Sequence, residues 1–199
     1  NSGNANACAP QGEENAERMC AAAAQALGCK PEDVLVSSTG VIGQRINVEA
    51  VEAAIPALCA ALERSAEASD AAGHAIMTTD TVKKEAAVET TVGGKTVRMG
   101  GVAKGSGMIH PNMGTMLCFL TTDCAISPEM IKTALLETVS VSFNRISVDG
   151  DTSTNDTCCV LANGLAGNPE ITEKNESYVD FLLKLHEVCY HLARSMAKD

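Results

Sequence analysis

The stretch KGSGMIHPNMGTML, residues 104–117, determines which fold and chemistry this sequence predicts. A lysine stands among flexible glycines, a Pro-Asn turn follows, and Gly114 precedes Thr115 at the start of an apolar segment. Because Gly114 has no Cβ, its backbone can adopt strained angles that other residues resist. The Thr115 hydroxyl can then attack the carbonyl carbon of Gly114, which moves the acyl group from nitrogen to oxygen.

Hydrolysis of the resulting ester cuts the chain after Gly114 and gives Thr115 a free α-amine. Since the ordinary pKa of an α-amine is about 8, this amine is better matched than a lysine to deprotonating the Thr115 hydroxyl at neutral pH. A Gly-Thr pair by itself more often begins a β-strand. The dipeptide alone therefore leaves both interpretations open.

Five ordered motifs decide between these interpretations. They are NSGNANAC (1–8), SSTGVIG (37–43), AIMTTDT (75–81), GVAKGSGMIHPNMGTML (101–117) and VDGDTSTND (148–156). Together they resemble the ornithine acetyltransferase family, also called glutamate N-acetyltransferase, over almost the whole chain. The resemblance implies a self-cleaving threonine enzyme that moves acetyl from N-acetylornithine to glutamate in arginine biosynthesis by a ping-pong, acyl-enzyme mechanism.

The resemblance also implies how the chain is processed. Thr115 is the nucleophile, and the Gly114-Thr115 bond separates an α-chain portion, residues 1–114, from a β-chain portion, residues 115–199. The family usually has alanine where this chain has Gly114, and glycine still permits the cleavage. Family members begin upstream of NSGNANAC and continue past Asp199, so we expect this chain to lack both ends.

Binding residues follow from the same resemblance. Thr39 and Gly40 match the oxyanion hole, in agreement with a glycine loop that follows a predicted strand. Lys104 and Thr81 match substrate-binding positions, as does Thr115 itself. Thr78 and Thr79 are alternatives for the threonine, and Lys104 either binds a substrate carboxylate or acidifies the Thr115 hydroxyl.

The implied fold is α+β, with mixed β-sheets sandwiched with helical layers, as in ornithine acetyltransferase and D-aminopeptidase-like proteins. A chain of 199 residues, 45% of them hydrophobic, predicts one domain over 1–199 or part of one. The family implies no cofactor and no metal, self-association as paired αβ units, and acetyl-CoA as an alternative donor in its bifunctional members. The sequence leaves open which kind of member this chain is.

Composition excludes several other classes of protein. A net charge of −10 and 3% aromatic residues argue against nucleic acid or an anionic membrane surface as partner. The apolar runs fall short of the roughly 20 residues that a membrane span needs. Nine cysteines without a CxxC pair predict a reducing, cytoplasmic location.

Periodicity and capping signals predict the elements. Helices are predicted over 14–27, 47–64 with a kink or restart at Pro56, from Pro128 behind the N-cap Ser127, and over 177–196. Strands are predicted over 33–37, 75–78, 116–120, 146–149 and 158–161, with a hairpin of 88–92 and 96–99 closed at Gly93-Gly94. Residues 65–72 are a weak candidate for a domain boundary.

Other polar residues have simpler explanations. His110 has two interpretations, a proton shuttle and a simple loop residue, and the loop residue is favoured because no carboxylate nearby in sequence orients it. His186 and His191 are five apart on a helix and do not stack as a metal pair. Asp149, Asp151 and Asp156 lack the glycine and final glutamate of a calcium loop, which favours a role in turns.

Two rival functions remain at this point. An N-terminal-nucleophile aminopeptidase or amidohydrolase shares the self-cleavage but transfers the acyl group to water. A catalytically inactive fragment would fold or assemble without turnover. Cleavage after Gly114 and the fate of an acetyl group on Thr115 distinguish these rivals from the acetyltransferase.

Overall fold

A computed structural model describes residues 1–110 and 116–199 of the chain. By their internal contacts these residues form two compact units, Asn1–Thr78 and Thr79–Asp199. The Gly114-Thr115 junction lies outside the described residues.

The first unit is built on helices. Its helices are α1 (Gly12–Leu27), α2 (Val48–Ala60) and α3 (Ala66–Ala75), with a short 3-10 turn over Pro31–Asp33. Helix α1 ends at Gly28 with a φ of 72°, as its glycine predicts. Helix α2 begins at its Asn47 cap and continues through Pro56 without a restart.

The second unit contains a mixed sheet. Among the described residues the strands are β1 (Lys84–Val92), β2 (Lys95–Lys104), β3 (Leu117–Thr122) and β4 (Thr157–Ala162), in spatial order β1-β2-β3-β4. The first three strands are antiparallel neighbours, and β4 lies parallel to β3. The hairpin predicted at Gly93-Gly94 is confirmed, with both strands longer than predicted.

Two helices complete this unit, namely α4 (Pro128–Val141) and α5 (Glu176–Lys198), with a 3-10 turn over Phe143–Arg145 between α4 and β4. The Ser127 hydroxyl accepts the Met130 N–H at the start of α4, as predicted. Helix α5 contacts β1, β2 and α4 through one buried face spaced by three and four residues: Tyr178, Phe181, Leu185, Val188, Cys189, Leu192, Ala193 and Met196. The predicted α+β fold class is confirmed.

Local predictions were wrong where short apolar runs imitate strands. Ala75 is the last residue of α3, and 76–78 follow it outside any strand. The helix forms here because the Ser65 hydroxyl accepts the Ala68 N–H at 3.0 Å and caps an alanine-rich segment. Residues 146–149 form a loop. Of the strand predicted over 33–37, Asp33 ends the 3-10 turn and 34–37 lie outside any strand. The helix predicted over 47–64 ends at Ala60, and the weak boundary predicted at 65–72 falls on the cap and body of α3.

Within residues 1–110 and 116–199, no helix is both long and apolar enough to cross a bilayer. The same residues contain no group of three His, Cys, Asp or Glu side chains arranged to hold a metal ion. Cys158 and Cys159 lie on β4, so their side chains leave opposite faces of the strand. Cys158 packs against the core, where Cys118 is its register partner on β3.

Candidate active site

Lys104 is buried at the end of β2. The residue is 1% exposed, and its Cα pairs with that of Leu117 at the start of β3. Burial lowers the pKa of the Lys104 ammonium below its ordinary value, while Asp80 and Asp156 act in the opposite direction. Lys104 therefore lies opposite Leu117, which follows Thr115 by two residues in the sequence.

Asp80 fixes the backbone beside Lys104. Its Oδ1 accepts the Gly105 N–H at 2.7 Å and the Lys84 ammonium at 2.6 Å. Lys84 also donates to Asp199 Oδ2 at 2.6 Å, and all three side chains of this network are at most 1% exposed. We call Asp80, Lys84 and Asp199 the buried ion network.

The predicted substrate threonine lies next to this network. The backbone N–H of Thr81 donates to both carboxylate oxygens of Asp199 at 3.1 Å, and the Thr81 hydroxyl also donates to Asp199. The alternative Thr79 shares a 2.7 Å hydrogen bond with the Ser106 hydroxyl, on the loop that follows Lys104. A substrate-binding role for Thr81 stays a prediction, and its hydroxyl is already engaged.

The downstream flank of the junction is anchored by Asp156. Met116, the residue bonded to Thr115, is 2% exposed and donates its N–H to Asp156 Oδ1 at 2.8 Å. Burial raises the pKa of Asp156 to about 6, against the lowering effects of the Met116 N–H and the Lys104 charge. The carboxylate therefore links the flank of the proposed nucleophile electrostatically to Lys104.

Asp149 anchors the upstream flank. Its Oδ1 accepts the Ile109 N–H at 3.0 Å, and its Oδ2 accepts the Met108 N–H. These bonds, the Met108 bond first, hold the pKa of Asp149 below its ordinary value. His110 Nδ1 lies 3.2 Å from the Ser147 hydroxyl, and no described carboxylate contacts its ring.

The pKa of Asp156 predicts a pH dependence of stability that we expect in thermal melts. Because this carboxyl group has a folded-state pKa of about 6 against an ordinary 3.8, the folded state binds the proton more tightly, and stability falls as pH rises through that window. Asp156→Asn removes the titration while keeping an acceptor for Met116. The variant should match the wild type near pH 4 and melt at a higher temperature than the wild type at pH 8. If variant and wild type melt at the same temperature at pH 8 as well as at pH 4, this account is contradicted.

In the first unit, Thr39 and Gly40 lie on a segment paired with the start of the chain. Thr39 N–H donates to the Asn1 carbonyl at 2.9 Å, and Val41 N–H donates to the Gly3 carbonyl at 3.1 Å. Gly40 has a φ of 125°, and an added Cβ would lie 2.2 Å from the Gly3 carbonyl oxygen, so only glycine fits.

The Thr39 side chain is a predicted oxyanion-hole donor. Thr39 is 0% exposed, and its hydroxyl makes no hydrogen bond within the described part of the chain. A buried hydroxyl without a partner costs free energy, which a functional role can justify. Six other buried side-chain atoms among the described residues also have no partner, so the oxyanion-hole role of Thr39 stays a prediction.

Sequence reasoning did not identify Asp80, Lys84 or Asp199 as site residues. Lys84 is the first residue of β1 and Asp80 precedes it by four residues, whereas Asp199 is at the opposite end of the second unit in sequence. The one local signal for Asp80 is its place in TTDT, between the candidate substrate-binding threonines. The turn role predicted for Asp149 is confirmed, because its Oδ1 also accepts the Asp151 N–H at 3.2 Å.

Known proteins resemble this chain along its full length. The ArgJ family matches residues 1–199. The arginine biosynthesis bifunctional protein ArgJ of Symbiobacterium thermophilum is 53% identical over 200 residues, covering 100% of this chain and 49% of the relative. The protein of the same name from a Synechococcus species is 51% identical over 200 residues, covering 100% of this chain and 48% of the relative.

A solved structure agrees with these relatives. The crystal structure of arginine biosynthesis bifunctional protein argJ from Bacillus halodurans is 44% identical, with a TM-score of 0.52 over 57% of this chain and 59% of that chain. The chain spans about half the length of the curated relatives it matches. Because the family match extends over residues 1–199, this chain belongs to the ArgJ family.

Proposed function

We propose that this chain carries the self-cleaving, nucleophilic part of an acetyltransferase that moves acetyl from N-acetylornithine to glutamate in arginine biosynthesis. Membership of the ArgJ family and the names of its relatives support the pathway. The observation that carries the proposal is the anchoring of Met116, the residue bonded to Thr115, beside buried Lys104.

Self-cleavage comes first. The Thr115 oxygen attacks the carbonyl carbon of Gly114, the bond from that carbon to the Thr115 nitrogen breaks, and an ester forms. Water then hydrolyses the ester, leaving a carboxylate on Gly114 and a free α-amine on Thr115. This amine accepts the proton of the Thr115 hydroxyl in the next step.

Acetyl transfer follows by two attacks on the same carbonyl carbon. Thr115 takes acetyl from N-acetylornithine, and ornithine leaves with a proton. The glutamate amine then attacks the acyl-enzyme, the ester bond to the Thr115 oxygen breaks, and N-acetylglutamate leaves while a proton from the amine returns to that oxygen. The Thr39 hydroxyl and the Gly40 N–H stabilise the oxyanion, an effect worth about 3 kcal/mol per donor in other acyl-transfer enzymes. Lys104, with Thr81, binds the substrate; as an ammonium Lys104 pairs with a carboxylate.

The proposal needs no cofactor, because side chains and the α-amine carry every proton. Acetyl-CoA presents the same kind of electrophilic acetyl carbonyl and is proposed as an alternative donor. The proposal also includes a cytoplasmic location, which the nine free cysteines support. Self-association as paired αβ units is part of it.

Mass spectrometry of the intact protein tests the proposal. We expect two species, residues 1–114 and 115–199, and an added acetyl group on Thr115 after incubation with N-acetylornithine. Glutamate should release that acetyl group as N-acetylglutamate much faster than water does. Release by water alone would favour the amidohydrolase, and a chain that persists uncut would favour the inactive fragment.

A further inference from the structure

We propose that the loop of residues 147–156 is a clamp that holds both flanks of the cleavage junction. In this clamp Asp149 positions the upstream flank for self-cleavage, whereas Asp156 positions the downstream flank for self-cleavage and for acetyl transfer. The inference rests on the proposed function and assigns a task to the VDGDTSTND motif, which that function does not use.

The clamp reaches the upstream flank through two successive amides. Met108 and Ile109 both donate their N–H groups to the Asp149 carboxylate, and Val148 returns an N–H to the Ile109 carbonyl at 2.8 Å. Met108 has a φ of 57°, in the left-handed region that non-glycine residues rarely adopt. Successive N–H groups converge on one anion in such a conformation, so the strained backbone and the carboxylate belong together.

The clamp reaches the downstream flank at the other end of the same loop. Asp156 accepts the Met116 N–H at 2.8 Å, and the next residue, Thr157, donates its N–H to the Met116 carbonyl at 3.0 Å. Met116 is thus held through both of its backbone polar groups. Since β4 begins at Thr157 and lies parallel to β3, the anchor is continuous with the sheet.

Holding both flanks has a direct consequence for the chemistry. Intramolecular attack requires the reacting atoms to stay about 3–3.5 Å apart in a suitable orientation. Fixing Ile109 and Met116 holds one described residue on each side of the junction and so reduces the entropy lost when the reacting atoms meet. Each carboxylate should therefore accelerate self-cleavage.

The two carboxylates have different roles once the chain is cut. The upstream flank then ends in the Gly114 carboxylate, which takes no part in acetyl transfer, and Asp149 holds only this flank. The downstream flank keeps Thr115, with its amine and hydroxyl, attached to Met116. Asp156 therefore continues to orient the nucleophile, whereas Asp149 does not.

Five variants of the protein test this division: Asp149→Asn, Asp149→Ala, Asp156→Asn, Asp156→Ala and the control Asp151→Asn. Asp151 lies in the same loop and is exposed. Its backbone N–H, which Asp151→Asn keeps, donates to Asp149 Oδ1 at 3.2 Å. Intact mass against time measures self-cleavage, and N-acetylglutamate formation per cut molecule measures transfer. Thermal melts identify any variant that fails to fold, and only folded variants are compared.

We expect Asp149→Ala to slow self-cleavage about tenfold or more and to leave transfer per cut molecule within about twofold of wild type. Asp149→Asn should slow cleavage several-fold, because an amide has a single acceptor oxygen, whereas the Met108 and Ile109 N–H groups bind different oxygens of the carboxylate. Asp156→Ala should slow both steps about tenfold. Asp156→Asn keeps its acceptor and should retain most of both rates, and Asp151→Asn should match wild type.

Three outcomes would overturn the clamp while the wild type cuts itself normally. The first is cleavage at the wild-type rate in both Asp149 variants. The second is a loss of transfer in Asp149→Ala as large as its loss of cleavage. The third is a loss of cleavage in Asp151→Asn as large as that in Asp149→Ala. A wild-type chain that never cuts overturns the proposed function, and the clamp falls with it. The two failures are distinguished by the wild-type time course alone.

Discussion

Replacing Thr115 with alanine is expected to leave the chain uncut after Gly114 and to abolish acetyl transfer. The variant lacks the oxygen that attacks the Gly114 carbonyl, and without cleavage it also lacks the α-amine that serves as base. Removing a nucleophile that acts as one unit with its base lowers turnover by on the order of 10⁴-fold or more. Intact mass spectrometry and N-acetylglutamate formation measure the two losses.

Thr115→Ser and Thr152→Ala are the matched controls. Serine keeps a hydroxyl at the same position and should cut and transfer at reduced but measurable rates. Thr152 is an exposed threonine of the 147–156 loop, and its truncation should change neither step. Cutting after Gly114 in Thr115→Ala would show that another residue, or another protein, breaks this bond.

Long, regular patterns let most of the fold be predicted from sequence. The helix predicted over 177–196 is observed over Glu176–Lys198, because its apolar residues repeat at helical spacing over six turns and Asn175 caps its start. The hairpin follows from two apolar strands around Gly93-Gly94. The strands predicted over 75–78 and 146–149 fail because four residues carry too little periodicity to outweigh a helix cap or an aspartate-centred turn.

The candidate site was predictable only in part, because its buried partners come from distant parts of the chain. A lysine among glycines drew attention to Lys104, and the structure buries it. Nothing in the local sequence pairs Asp199 with Thr81 and Lys84, which are more than a hundred residues away. The same holds for Asp149 and Asp156, whose contacts lie about forty residues upstream.

Asp156 illustrates why such residues are costly as well as useful. Its pKa of about 6 means that the ionised form is disfavoured by burial, so the carboxylate lowers stability at neutral pH. The clamp requires the same side chain for positioning Met116. We therefore expect Asp156→Asn to be more stable than wild type at pH 8, and Asp156→Ala to slow both self-cleavage and acetyl transfer.

Replacing Lys84 with methionine is expected to destabilise the second unit by about 3–5 kcal/mol, since it leaves the Asp80 and Asp199 carboxylates buried without their shared cation. Methionine keeps the approximate volume, so the loss reports charge rather than a cavity. Asp80 also holds the Gly105 N–H beside Lys104. The variant should therefore lose activity together with stability, and urea denaturation at pH 7 measures the free energy of unfolding.

Acidification gives this prediction a second test. Burial alone would raise the pKa of Asp199, but hydrogen bonds from Lys84 and Thr81 hold it below the ordinary 3.8. A lowered carboxyl pKa contributes stability that is fully present above 3.8 and is lost as pH falls toward the folded value. The deficit of Lys84→Met should accordingly be largest near neutral pH and shrink in acid.

Arg98→Met is the control for Lys84→Met on the same hairpin. Arg98 pairs with Glu89 at 2.9 Å, but both side chains are more than half exposed, at 66% and 59%. Exposed pairs contribute about 0–1 kcal/mol, because solvent screens the charges. A loss in Lys84→Met no larger than that in Arg98→Met would contradict the buried ion network as a stabilising element, and a deficit that grows on acidification would contradict its charge assignment.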